Sequence, residues 1–316
     1  MTERAPLVSV GLPVYNGERY LAQALDAILA QDLDDFEVVV SDNASEDATG
    51  EIVREYAASD PRIRYYRNDR NVGLTRNFNR VFELSRGRYF KWTAHDDWHP
   101  KETLRVCTEV LEDDPSAVLC ASAVAVIDED DTVLEEWHPS VDLRAREPHL
   151  RLHRLLWSMG ETHPLFAVMR SDALRRTPLY RNYLGADRVL LAQLALMGPM
   201  WQLPEIMHHY RAPRLRPASL GPPPPSGPRI SVILDPANRD RLPLRTWRLI
   251  YEHLALVGRA RLAPRHKLWL ALDVLARFGV RDGRRAAAEL YHSGRILAAR
   301  AARWRRGPGN PEGVPR

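Results

Sequence analysis

The sequence is 316 residues long, 45% hydrophobic and 27% charged, a balance that builds a buried core and excludes a disordered chain. No apolar run approaches the ~20 residues of a membrane-spanning helix, and the polar start at residues 1–6 carries no secretory signal pattern, so a cytoplasmic location is expected. The two cysteines, Cys107 and Cys120, lie in apolar contexts and read as buried, reduced thiols. The net charge of +4 is unevenly spread: residues 241–316 hold 17 Lys and Arg against 5 Asp and Glu, so a segment of +12 stands on a body of −8.

In chain order, residues 7–13 (LVSVGLP) read as a buried strand and 18–30 as a helix. A second strand at 36–41 precedes a helix over 46–58, and a third at Ile63–Arg67 precedes a helix over 75–86. A fourth strand at 89–93, a helix over 100–113 and a fifth strand at 117–127 complete the regular part. Strands separated by helices of this length predict an α/β fold, with parallel pairing and helices on both faces of the sheet. Ligands of such sheets gather at the carboxyl ends of the strands.

Beyond Asp128 the pattern is irregular until a helix near 187–197. The stretch 214–228 contains Gly221-Pro222-Pro223-Pro224-Pro225, which regular structure cannot accommodate. Three Arg-rich helices are then expected at 244–258, 265–277 and 284–305. The division predicted is a nucleotide-binding domain at 1–213, a Pro-rich linker or loop at 214–240 and a basic helical segment at 241–316.

Polar residues cluster where the strands end. They are Leu12-Pro13-Val14-Tyr15-Asn16-Gly17 after the first strand, Ser41-Asp42-Asn43-Ala44-Ser45-Glu46-Asp47 after the second, and Ala94-His95-Asp96-Asp97 after the fourth. Neither a Gly-x-Gly-x-x-Gly fingerprint nor a Walker loop follows the first strand, which argues against a dinucleotide enzyme or an NTPase. Ser45 and Asp47 are equally readable as caps of the next helix. Adjacent Asp96 and Asp97 repel one another, and a hard divalent cation on a phosphorylated ligand relieves that; the alternative is an exposed turn before the helix near Pro100.

Taken as an ordered series, these motifs closely resemble the family 2 glycosyltransferases, an inverting group with the GT-A fold. The series comprises Pro13-Val14-Tyr15-Asn16 with Tyr20-Leu21, residues Ser41 to Asp47, Asn71-Val72-Gly73, Arg86-Gly87-Arg88-Tyr89, His95-Asp96-Asp97 and Gly185-Ala186-Asp187, spanning residues 8–211. The resemblance implies a nucleotide-sugar donor, an acceptor hydroxyl, and a divalent metal, Mn²⁺ or Mg²⁺. It implies that Pro13, Tyr15 and Asp42 line the base pocket, Tyr15 by stacking and Asp42 by accepting from a pyrimidine N–H, so that a UDP- or dTDP-sugar is expected. Asn71 and Gly73 would lie near the nucleotide, Asp96 near the ribose or sugar, Asp97 on the metal, and Asp187 at the general base.

Two departures stand out. The family often has Ala-Arg-Asn after Asn-x-Gly, where this chain reads Arg76-Asn77-Phe78-Asn79, so no donor contact is assigned to Arg76. Many members carry a metal-site His just after a Tyr-Arg pair, but Tyr210-Arg211 is followed here by Ala212-Pro213. His208 and His209 are the substitutes at hand, and on a strand only one of them can face the metal; His209 is the candidate ligand. The acceptor is expected at the irregular region, including Glu161-Thr162-His163 and Arg170. The rival enzyme reading is a nucleotidyltransferase, which usually has a Gly-rich basic loop absent here, and the rival from another class is a non-catalytic nucleotide-sugar-binding or scaffold protein. No nucleic-acid motif accompanies the basic segment. Its apolar stripes are expected to meet an anionic membrane surface, the body of the same chain, or a second subunit.

Overall fold

A computed structural model describes residues 4–158, 164–212, 242 and 244–306. The first half follows the expected alternation: β1 (Val8–Val14), α1 (Leu21–Leu29), β2 (Phe36–Asp42), α2 (Thr49–Ser59), β3 (Ile63–Arg67), α3 (Leu74–Glu83), β4 (Tyr89–Trp92), α4 (Thr103–Asp113) and β5 (Leu119–Ile127). The second half contains β6 (Val133–Trp137), α5 (Pro148–Ser158), β7 (Val168–Arg170), α6 (Ser171–Arg175), α7 (Ala186–Met197) and β8 (Met200–Arg211). Two helices close the chain, α8 (Arg245–Arg259) and α9 (Pro264–Arg306).

These strands form one mixed sheet in the order β3-β2-β1-β4-β7-β5-β6, with β8 along the other edge of β5. The pairs β1–β2, β2–β3 and β1–β4 are parallel, so their carboxyl ends share one edge. Every residue of β1, β2 and β4 is buried, as sheets covered by helices on both faces require. One core layer joins Leu12, Leu21, Leu25, Val38 and Val40; the other joins Phe82, Phe90, Trp92, Leu155 and Leu190.

The pairing expected for the fifth strand is different in the structure. β5 reaches the parallel half through β7, which runs antiparallel to both β4 and β5. Three residues are too few to show periodicity, so β7 was invisible in the sequence. β8, of which only His208 and His209 were expected on a strand, carries Pro204 and Glu205 at a bulge; its register against β5 slips between Ser122 and Val124, and the bulged ladder absorbs the proline. Cys107 and Cys120 are free and buried.

The C-terminal helices share the main core. Leu249, Leu256 and Val257 of α8, with Leu270, Val274 and Phe278 of α9, pack in the same cluster as Leu152, Leu155, Leu190 and Leu194. One apolar stripe of each helix therefore covers the chain's own body. The break expected after residue 277 does not occur, and α9 runs unbroken for 43 residues. Gly279 and Gly283 each cost a helix about 1 kcal/mol relative to Ala, but contacts on either side hold the helical path: Arg277 pairs with Asp282, and Ala286 accepts from the Trp247 indole through its carbonyl. The Pro-rich tract expected at 214–240 lies outside the described residues.

Candidate functional site

The loops after β1 and β2 are stitched reciprocally. The Asn16 N–H donates to Ser45 Oγ at 2.9 Å, the Glu46 N–H to Asn16 Oδ1 at 2.9 Å, and the Gly17 N–H to Thr49 Oγ1 at 2.8 Å. Asp47 accepts from the Glu18 and Thr49 N–H groups. Ser45 and Asp47 thus tie the two loops together rather than capping the helix, since α2 starts from Ala48 with no side-chain cap. A Cβ at Gly17 would stand 2.6 Å from the His95 ring, so this glycine lets the β4 turn approach the β1 loop.

Below these loops lies a network of amides. Asn68 donates to the side-chain oxygens of Asn43 and Asn77, Asn77 donates to the Ser41 carbonyl, and Asn43 donates to Asn71 Oδ1, which also receives the Gly73 N–H. Asn43, Asn68 and Asn77 are buried, and paired amides in a low-dielectric interior hold one arrangement firmly. The ends of β1, β2 and the loop before α3 consequently form one rigid shelf. Tyr15, 42% exposed, projects its ring from it, with Asn71 also at the surface and Pro13 buried beneath. Gly73 has a φ of 87°, a conformation glycine alone adopts freely, where α3 begins.

Asp42 is placed otherwise than a base-reading role requires. Its side chain is completely buried, Oδ1 accepts from the Ser45 N–H at 2.8 Å, and Oδ2 accepts from Tyr65 Oη at 2.9 Å and from Arg67. Three donors already satisfy it, with Arg67 lying over it toward solvent.

The two carboxylates after β4 differ sharply. Asp97 is turned inward, its side chain fully buried: Oδ1 accepts from the Arg211 N–H at 3.0 Å and Oδ2 meets His208 Nε2 at 3.1 Å. The His208 Nδ1 in turn lies 3.2 Å from His99 Nε2. Burial lowers the pKa of both imidazoles, against the Asp97 carboxylate in the case of His208, and so favours their neutral forms. The tautomers then follow: His208 gives its Nε2–H to Asp97, leaving Nδ1 to accept the Nε2–H of His99. Asp96 is half-buried, and burial first, then the neighbouring Asp97, raises its carboxyl above the usual range. Arg211 clamps the turn, donating from Nε to the Asp96 carbonyl at 3.0 Å and from its terminal nitrogens to Asp128, Asp131 and Gln23, with its guanidinium 4.4 Å from the centre of the Tyr20 ring.

His209, the expected metal ligand, points elsewhere. Its ring stacks on Trp98 at 3.6 Å with an interplanar angle of 7°, and it is His208 that reaches Asp97. The register slip in β8 decides this. A regular ladder continued from the Ser122–Leu203 pair would put His209 on the face of Val124, whereas the bulged strand pairs Val124 with His208.

Asp187 stands in the first turn of α7, half-buried. It does not cap the helix; Gly185 opens it with a φ of 90° and no side-chain cap is made. Among the described residues Asp187 accepts no side-chain hydrogen bond, while its charge acts on the buried Tyr180 and Tyr183 hydroxyls and on Arg245. Tyr180 packs edge-on against Trp92 at 5.4 Å, which ties this segment to the end of β4. From behind, Leu249 of α8 would meet a Cβ on Gly185 at 3.1 Å. Gly185→Ala is therefore expected to cost about 1–2 kcal/mol from the left-handed backbone alone, with crowding of Leu249 in addition; a fall in thermal midpoint measures it, and an unchanged midpoint contradicts the packing described.

The model of a family described as Glycosyl transferase family 2 matches residues 9–177, more than half of the chain and every strand end described above except β8. The chain belongs to glycosyl transferase family 2. An uncharacterised protein of Mycobacterium tuberculosis is 32% identical over 204 residues, covering 62% of this chain and 56% of that protein. An uncharacterised glycosyltransferase of Methanocaldococcus jannaschii is 33% identical over 136 residues, 42% of this chain and 47% of that one. The chain thus spans about half the length of the relatives it matches. In fold it is similar to residues 1–349 of S. aureus TarS, solved in complex with UDP-GlcNAc, with a TM-score of 0.62 at 17% identity, covering 87% of this chain and 73% of that one. It is also similar to the mannosyltransferase PcManGT of Pyrobaculum calidifontis, solved with GDP-Man and Mn²⁺, with a TM-score of 0.54 at 21% identity, covering 94% and 81%. This family 2 chain therefore has the GT-A architecture expected of it.

Within this family 2 chain, Tyr15, Asn71, Gly73 and Asp96 lie at the carboxyl edge of the parallel strands, and Asp187 is linked to that edge through Tyr180 and Trp92. Arg170, expected near an acceptor, is at the opposite edge, where it pairs in register with Tyr89 at the start of β4 and donates to the Ala117, Leu111 and Asp114 carbonyls. It is a structural clamp. Glu161-Thr162-His163 lie outside the described residues. The bracing roles of His99 and Arg211 were missed: Arg211 had a signal in its Tyr-Arg pair, and His99 had none.

Proposed function

We propose that the chain transfers a sugar from a nucleoside-diphosphate donor to an acceptor hydroxyl with inversion at the anomeric carbon. The observation that carries this reading is the contrast between the two adjacent carboxylates. Asp97 is consumed by His208 and Arg211, and its half-buried neighbour Asp96 is left with a raised pKa at the edge where donors of such sheets bind. Asp96 thus replaces Asp97 as the proposed metal-facing residue, and Asp97 becomes the residue that positions the turn.

Asp96 suits a hard divalent cation, whose charge relieves the burial and the repulsion it suffers. Among the described residues no group of three or more His, Cys, Asp and Glu side chains could hold a metal alone, which suits an ion shared with donor phosphates. Such a cation, when bound, would supply charge stabilisation for the departing diphosphate. The protein's own contribution is positioning: the amide shelf supports the nucleoside under Tyr15, and the Arg211 clamp fixes the Asp96 backbone. Asp187 accepts the proton of the acceptor hydroxyl as it attacks. The Gly185 hinge and Leu249 hold α7, and with it this carboxylate, against the body.

For the base we propose a pyrimidine. Asp42, to which the resemblance assigns the base, is closed by Arg67 and Tyr65 and bears on the base only through those two residues. Isothermal calorimetry should show uridine diphosphate binding more tightly than guanosine diphosphate, by roughly 1–3 kcal/mol if a base N–H finds its acceptor. A panel of uridine, thymidine and guanosine diphosphate sugars, followed by release of nucleoside diphosphate with added acceptors, tests the reaction itself. Release from none of the panel speaks against transfer, and a guanosine preference refutes only the base assignment.

A further inference from the structure

The structure covers only one of two apolar stripes on α9. Leu270, Val274 and Phe278 face the body, whereas Leu268, Leu272 and Leu275, spaced as one helical face, are 65%, 59% and 49% exposed. Trp269, Val280, Leu290 and Tyr291 extend the exposed surface. Charge is sorted as well. Each acidic residue of α8 and α9 is used within the molecule: Glu252 is buried with Arg181 and Arg248, Asp273 accepts from His153 and Trp157, Asp282 pairs with Arg277, and Glu289 accepts from the Thr246 N–H and hydroxyl. Arg259, Arg261 and Arg265 are exposed at the α8–α9 turn, next to Leu268, and Arg281, Arg284 and Arg295 are exposed elsewhere along α9.

From this sorting we infer that the outer face of α9, with the α8–α9 turn, is a docking surface for an anionic lipid bilayer. Leucines that insert, aromatic residues at the flanks and an excess of arginine are what an interfacial helix needs. A second copy of the same face would set two arginine-rich surfaces against each other, and a nucleic acid would leave the leucines in water. Among the described residues no helix is long and apolar enough to cross a membrane; the contact inferred for α9 is a peripheral one. It goes beyond the transfer reaction and does not depend on it.

Flotation of the full chain with phosphatidylcholine vesicles, with and without phosphatidylglycerol, tests the inference at low salt. Enrichment is expected on the anionic vesicles only. Arg259→Gln, Arg261→Gln and Arg265→Gln combined should weaken binding about 100-fold, at roughly fivefold per charge near such a surface. Leu268→Glu, Leu272→Glu and Leu275→Glu combined should abolish flotation while melting like the parent, since these side chains point away from the core. If the leucine variant misfolds, the arginine variant decides alone. Equal recovery on both vesicle types, a well-folded leucine variant that still floats, or a solution dimer that the leucine variant splits would each overturn the assignment.

Discussion

Replacing Asp187 by asparagine is expected to reduce sugar transfer about 10²–10⁴-fold, the usual worth of a positioned general base, with almost no change in melting temperature. The structure sharpens this contrast. Gly185 opens α7 through its left-handed backbone, and among the described residues Asp187 accepts no side-chain hydrogen bond that asparagine would have to replace. The favourable effect of a negative charge in a helix's first turn is worth only about 0.3–1 kcal/mol. Nucleotide binding should be preserved, because the shelf around Tyr15 and Asn71 belongs to other loops. Single-turnover rates beside calorimetric donor affinity measure both sides. Turnover within a few-fold of the parent would mean that the proton goes to another group.

The adjacent carboxylates should separate into a functional and a structural residue. Asp96→Asn is expected to lower metal-dependent turnover at least about 100-fold, since charge stabilisation of this kind is worth several kcal/mol. The fold should tolerate it, for Asp96 is half-buried and disfavoured as a charge where it stands. Asp97→Ala should instead destabilise the protein by about 2–4 kcal/mol, because it strands the buried His208 Nε2–H and Arg211 N–H without an acceptor. Urea titrations beside manganese-dependence curves distinguish the two. A stable Asp97→Ala protein with lost metal dependence, alongside a fully active Asp96→Asn, would return the metal role to Asp97.

Much of the parallel half was legible because its signals are local. β1, β2 and β4 are short apolar runs, α1 to α4 repeat with helical period between them, and polar residues gather at the strand ends whatever the rest of the chain does. The motifs from Pro13 to Asp187 carried the family for the same reason. β6 and β7 were not legible, since β7 has three residues and β6 is exposed at nearly every position; of β8 only the His208-His209 end was, because Pro204-Glu205 breaks its pattern.

By itself, then, the sequence determined the strand–helix alternation, the edge at which a ligand would sit and the residue types available there. Tertiary structure alone decided which of those residues are open. Whether His208 or His209 meets Asp97 depends on the bulged register of β8 against β5, and an odd number of extra residues in a ladder inverts every face beyond it. Asp42 is closed because Tyr65 and Arg67, from the neighbouring strand, converge on it. Asp96 and Asp97 are chemically identical neighbours, and donors more than a hundred residues away, His208 and Arg211, give them different surroundings. Local patterning fixes which face or strand end a residue occupies, but a carboxylate's availability is set by the groups that fold against it.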